Sequence, residues 1–312
     1  MESFNLQENH WTTLAPMPLP TVLPGYAAVG NLLYCFGGTN VGAIGEGTVY
    51  NNLQIYHPNL PPLPAISAGG VVSASAFGEF TSVAPGSWIE IYGSNLASDT
   101  RGWAGSDFSG VNAPTSLDGT SVYIGGQAAF VDYISPGQVN AQVPSSVATG
   151  VQQITVETAS GTSAPFNITV NAVQPGLDAP ASFNVNGIQY AVALFPDNVT
   201  YVLPTGAIPG VASRPAQPGD TVMLYGVGFG PVTPDIPAGQ IVQESNMVSD
   251  SLKISVGGMA ASLSYSGLAP NLIGLYQFNV VIPNVSASGA APLTFTLDGA
   301  AGTQTLYIAV QD

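Results

Sequence analysis

Charge is what this chain has least of. Lysine, arginine, aspartate and glutamate make up 7% of its 312 residues, where about a quarter is usual. Only Arg101, Arg214 and Lys253 are positive, and the formal net charge is −15. Three cations cannot neutralise a phosphate backbone, so nucleic-acid binding is excluded, and an anionic membrane surface repels such a chain. No run of about 18 apolar residues is present, so no membrane insertion by a helix is expected. The single cysteine, Cys35, rules out an internal disulfide framework. It sits in Leu32-Leu33-Tyr34-Cys35-Phe36, where a thiol is expected to be buried as a small hydrophobe.

Histidine is nearly as scarce. His10 and His57 both fall near the N-terminus, where each reads as a solvated turn residue. The rest of the chain offers no imidazole or thiolate for zinc or copper, and no Gly-x-Ser-x-Gly elbow has a His and an Asp following it. No catalytic residue, metal or cofactor is therefore expected, and the chain reads as a non-enzyme. Met1-Glu2-Ser3-Phe4-Asn5 lacks the basic segment and apolar stretch of a signal peptide. The expectation is a mature or trimmed product, or part of a longer gene.

What is abundant is turn chemistry. There are 37 glycines and 26 prolines beside 46% hydrophobic residues. Short alternating runs of Val, Ile, Tyr and Phe are broken about every eight to twelve residues by turn formers, the pattern of sandwiches and barrels. Helical spacing is hard to find, and helix-favouring Lys, Arg and Glu are few. The fold class is all-β. A surface so poor in charge must be solvated by Ser, Thr, Asn and Gln, a composition common in bacterial secreted and cell-surface proteins, and an extracellular or cell-surface location is expected.

Three parts are visible. Residues 1–66 end in a proline-rich linker, Pro58-Asn59-Leu60-Pro61-Pro62-Leu63-Pro64, because proline cannot donate to a ladder. Before it, Tyr26–Val29 and Leu32–Phe36 flank Gly30-Asn31 as a hairpin, and Leu53-Gln54-Ile55-Tyr56 supplies another strand. This segment resembles a kelch repeat: Phe4 and Trp11 keep its six-residue aromatic gap, and Gly37-Gly38 follows a strand. Leu63 stands where the next Trp belongs. One blade cannot bury both faces of its sheet. The resemblance implies that it packs on the following modules, pairs with another chain, or ends a propeller lost by truncation.

The remainder is duplicated. Ala84-Pro85-Gly86-Ser87-Trp88-Ile89-Glu90-Ile91-Tyr92-Gly93 recurs as Gln217-Pro218-Gly219-Asp220-Thr221-Val222-Met223-Leu224-Tyr225-Gly226. Val122 to Tyr133 matches Ile254 to Tyr265, each with a Gly-Gly turn, and Gln138–Pro144 matches Gln277–Pro283. Each copy has the strand count of a seven-stranded sandwich of about 100 residues. The expected organisation is an immunoglobulin-like sandwich at 67–173, a second at 213–312, and between them a bridging insert at 174–212 with a hairpin about Asn186-Gly187. The phrases Tyr133–Pro144, Tyr225–Pro234, Gly267–Pro270 and Gly274–Gln277 resemble an uncharacterised C-terminal domain family of Solibacter-type, acidobacterial secreted proteins, itself similar to the IPT/TIG immunoglobulin-like fold. That resemblance implies a sandwich fold and an extracellular setting, and no activity.

Candidate sites are few. Asp99, Asp107 and Asp118 share a loop-rich stretch with Arg101, but their spacing matches no calcium loop, and a solvated acidic loop is expected. Trp88 alternates with Ile89 and Ile91 in a strand. Trp103 and Phe108 lie in a Gly-rich loop and form a candidate ligand platform, since aromatic faces stack on sugars; loop anchoring by burial is the alternative for Trp103. The Gly-rich stretch after Tyr225 and Gly226 is a second candidate platform. Asn-x-Ser/Thr triplets at Asn167, Asn198 and Asn284 are common by chance in such a composition. Three readings result: a structural or adhesion module, a fibre subunit assembled through strand addition by the N-terminal segment, and a carbohydrate-binding accessory module. Protein partners or self-association are expected, with a glycan as a further candidate partner.

Overall fold

The computed structural model describes residues 2–5, 10–13, 24–29, 32–40, 48–56, 62–75 and 80–311. The Gly30-Asn31 turn, His57, and the parts of the kelch-like phrase and proline-rich linker at 14–18 and 58–61 lie outside them. The chain forms two compact units, Met1–Pro62 and Leu63–Asp312.

In the first unit, Glu2–Asn5 pairs antiparallel with His10–Thr13 and sets Phe4 opposite Trp11. Gly25–Val29, Leu32–Phe36 and Leu53–Tyr56 form a three-stranded antiparallel sheet. Cys35 is buried there as a free thiol, while Tyr26, Val29, Leu53 and Ile55 are exposed.

The second unit begins with a sandwich whose two sheets follow from alternation. One runs Ala65–Ser73, Trp88–Ser94, Gln138–Gln142, Phe130–Ile134, Arg101–Gly102. The other runs Ser116–Leu117, Thr120–Ile124, Gly150–Thr158, Phe166–Val170, Ser82–Val83, with the last pair parallel. Inward residues at every second position, among them Ile89, Ile91, Val122, Ile124, Val139, Ile154 and Val156, form one core.

The second copy repeats the plan. Thr221–Val227 pairs with Tyr276–Val281, as Trp88–Ser94 pairs with Gln138–Gln142. Its opposite sheet is built from Leu252–Val256, Ser288–Leu297 and Leu306–Val310. Even the local devices coincide. Gly86 and Gly219 take positive φ after a proline, their N–H groups donate to Val143 O and Ile282 O at 2.9 Å each, and Ser87 and Asp220 side chains close the two turns. Gly125-Gly126 and Gly257-Gly258 turn the two hairpins with positive φ. Both copies share a register shift at a matching place, between Val131 and Tyr133 and between Leu263 and Tyr265.

Residues 174–212 are built into the second copy. Gly176–Leu177 and Ala193–Leu194 both pair with Thr221–Val227, and Tyr201–Val202 extends that sheet. Asn186-Gly187 turns the Asn184–Val185 and Ile188–Gln189 hairpin with both φ positive. Phe183, Tyr190 and Leu203 form a small cluster with Ala309. The stretch therefore adds strands and a satellite core to the second sandwich, because its apolar positions find partners on that sheet.

Candidate functional site

The 101–108 loop is organised by one guanidinium. Arg101 donates from Nε and Nη2 to Asp118 at 2.5 and 2.9 Å, and from Nη1 and Nη2 to Asp107 at 2.8 and 3.2 Å. These bonds hold both carboxyls below the usual carboxylate range and raise the guanidinium's own. Asp107 also accepts from the Ala104 N–H at 2.6 Å. The loop so fixed presents Trp103 and Phe108, both half-buried. Trp103 packs on the first core, its backbone N–H donates to the Asp132 backbone carbonyl at 2.8 Å, and its ring stands edge to face with Trp88 at 5.6 Å and Phe108 at 4.9 Å.

The Gly-rich stretch after Tyr225-Gly226 is packed rather than presented. Phe229 has no exposed surface and meets Phe278, Phe295 and Tyr276 at 4.6, 5.3 and 5.6 Å. A Cβ on Gly226 or Gly228 would strike the carbonyls of Gly176 or Gln174, so glycine here permits close backbone approach. Phe229 itself is therefore a core residue, while Gly230 and Pro231 beyond it stay partly exposed.

Between the sandwiches runs a seam of hydrogen bonds. Trp88 Nε1 donates to Ile273 O at 2.7 Å. Buried Gln142 accepts from the Gly239 N–H at 2.7 Å and donates to Gly86 O at 2.8 Å. Ser145 Oγ accepts from the Ala238 N–H, and Gly239 O from the Ala113 N–H, both at 2.7 Å. Gly274 lies at the centre with φ +62°, where a Cβ would overlap the Gln142 amide and approach Trp88 Nε1 to 3.0 Å. Gly274→Ala is expected to lose about 2 kcal/mol or more, from left-handed strain and overpacking. Differential scanning calorimetry checks this, and an unchanged melting temperature would refute the wedge.

Against this seam lies a pocket of about 280 Å³ lined by Trp88, Trp103, Asp132, Asn140, Asp178 and Leu275, among others. Phe108 is outside its lining. Asp132 comes from the Phe130–Ile134 strand of the first sandwich, and Asp178 follows the Gly176–Leu177 strand of the second sandwich's sheet. Asp132 Oδ1 and Asp178 Oδ1 are both buried without a hydrogen-bond partner among the described residues. So are the hydroxyls of Ser73 and Ser75, on either side of Ala74, which itself lines the pocket. Burial pushes Asp178 up to about 7. Asp132 rises to about 6, mainly by burial with help from the Glu90 charge, against the lowering effect of the Asn140 amide. Sequence reasoning missed both acids. An aspartate amid Phe130-Val131-Asp132-Tyr133-Ile134 is a visible signal, whereas Asp178 carries none.

A search of curated proteins returned no match. Solved structures with similar folds include the Bacteroides ovatus mixed-linkage glucan utilization locus protein SGBP-B in complex with a mixed-linkage heptasaccharide. It is 14% identical, with 89% of this chain and 53% of that one covered at a TM-score of 0.34. Another is the gamma-CGTase of an alkalophilic Bacillus clarkii, 11% identical, with 90% and 36% covered at 0.25. A third is domains 5–6 of the S-layer protein SbsC, 13% identical, with 80% and 99% covered at 0.26. This chain thus spans about half the length of the first of these. Within an all-β, immunoglobulin-like architecture, residues 75–201 match the IPT/TIG domain family.

Proposed function

We propose that this chain is a non-catalytic structural or adhesion module of a bacterial secreted or cell-surface protein, with the two sandwiches acting as one rigid block. The observation that carries the reading is the seam: backbone and side-chain hydrogen bonds from Trp88, 111–113 and 142–145 reach 238–241 and 273. A flexible tandem would leave these groups to water, whereas bonds made by buried groups such as Gln142 are costly to break. Fixed spacing between repeats is what a load-bearing or display element needs. In this organisation 67–173 and 213–312 are the repeats, and 174–212 is an elaboration of the second.

A low-charge polar surface and an IPT/TIG match over 75–201 support the same reading. Brief protease shaving of intact cells that make the protein is expected to release its peptides ahead of those of cytoplasmic markers. Release only after lysis would overturn the surface assignment.

A further inference from the structure

We propose that the pocket between the two sandwiches binds an organic cation: a primary ammonium or guanidinium group on a short apolar stem. Asp132 and Asp178 approach it from the two sandwiches, each with a buried oxygen that no donor among the described residues serves. Carboxylates so placed are normally paired. Among the described residues no lysine, arginine or histidine lines the pocket. Arg101 is held by Asp107 and Asp118. Arg214 pairs with Asp220 and lies 3.6 Å over the Phe195 ring.

The lining also argues for what the stem must be. The indoles of Trp88 and Trp103 give a polarisable wall suited to a cation, while Leu272, Ile273 and Leu275 offer an apolar floor. A neutral polyol needs donors and acceptors interleaved. Among the described lining residues, the charged side chains are the two carboxylates, which when ionised only accept. A cation brings donors to the unserved Oδ1 atoms of Asp132 and Asp178. The raised proton affinities of both acids agree with a site that lacks its positive partner. This inference does not depend on the structural reading above, since a rigid block can exist with or without a ligand in its seam.

The same cationic group can arrive as a small molecule or on a partner's arginine side chain, and two probes separate these. Agmatine and N-acetylarginine amide are titrated into the intact protein in phosphate buffer at pH 8, with tryptophan fluorescence and calorimetry as readouts. Glucose and 1-butanol serve as neutral controls. Agmatine is expected to bind and the neutral controls not. Tighter binding of the acetylated amide would assign the site to a partner's side chain, and tighter agmatine binding to a free amine. Asp178→Asn is expected to weaken binding about ten-fold or more, with an unchanged circular dichroism spectrum, and Asp132→Asn serves as an independent second variant. The proposal is overturned if neither cation binds below about 10 mM, if glucose binds as well as agmatine, or if both variants bind as the parent does.

Discussion

Phe229→Ala is expected to remove about 3–5 kcal/mol of stability, the range for deleting a fully buried aromatic. The ring is wholly enclosed and makes contacts with Phe278, Phe295 and Tyr276. Its surroundings have little freedom to collapse, because Gly228 and Gly230, on either side, are held at positive φ. Gly226 and Gly228 are pressed against the carbonyls of Gly176 and Gln174. A cavity that cannot close keeps the full loss of packing. Urea unfolding should show the midpoint falling with little change in slope. A loss below about 1 kcal/mol would mean that the ring is not the centre of the second core.

Asp178→Asn should act in the opposite direction, and only in part of the pH range. The folded-state proton affinity of Asp178 lies at about 7, above its ordinary 3.8, because burial penalises the charged form. A group raised in this way contributes stability that is fully present below the unfolded value and lost as pH rises through the folded one. The parent should therefore weaken between pH 4 and pH 8. At about 1.4 kcal/mol per unit between 3.8 and about 7, the loss at Asp178 is roughly 4 kcal/mol, and the amide should restore most of it at pH 8 while changing little at pH 4. Asp132, raised to about 6 with Glu90 nearby, adds a smaller effect of the same sign. Asp107, Asp118 and Asp197 are shifted down, so their contributions disappear only on further acidification. A stability maximum in mildly acid solution results. Urea titrations at pH 5, 6 and 8 in amine-free buffers check this, and a parent protein as stable at pH 8 as at pH 5 would refute it.

Features set by one or two residues were readable in the sequence. Positive φ belongs to a single position, so Pro85-Gly86, Pro218-Gly219, the two Gly-Gly hairpins and Asn186-Gly187 all turn where their residues say they should. Alternation likewise gives the inward faces of Trp88–Ser94 and Thr120–Ile124. What depends on distant partners was not readable. Local pattern does not say which sheet receives Ala193–Leu194, since strand pairing is a long-range choice. Trp103, flanked by Gly102, Ala104 and Gly105, reads as open loop, yet the Arg101 clamp and the Trp88 edge place it half inside. Phe229 reads as part of a flexible glycine run until the core behind it is seen. Asp178 acquires its chemistry only from what surrounds it.

The register shift shared by the two sandwiches bears on how they came to differ. At a bulge one residue escapes the ladder, so its side chain is not tied to the pleat's alternation. In the first copy that residue is Asp132, and at the matching position of the second it is Ser264. The neighbouring Trp88 corresponds to Thr221. Duplication thus created two scaffolds with the same tolerant position, and exchange there leaves strand pairing and core undisturbed. One copy thus carries an acid beside an aromatic wall where its twin carries a plain hydroxyl, so that two like scaffolds present unlike chemistry at the same point.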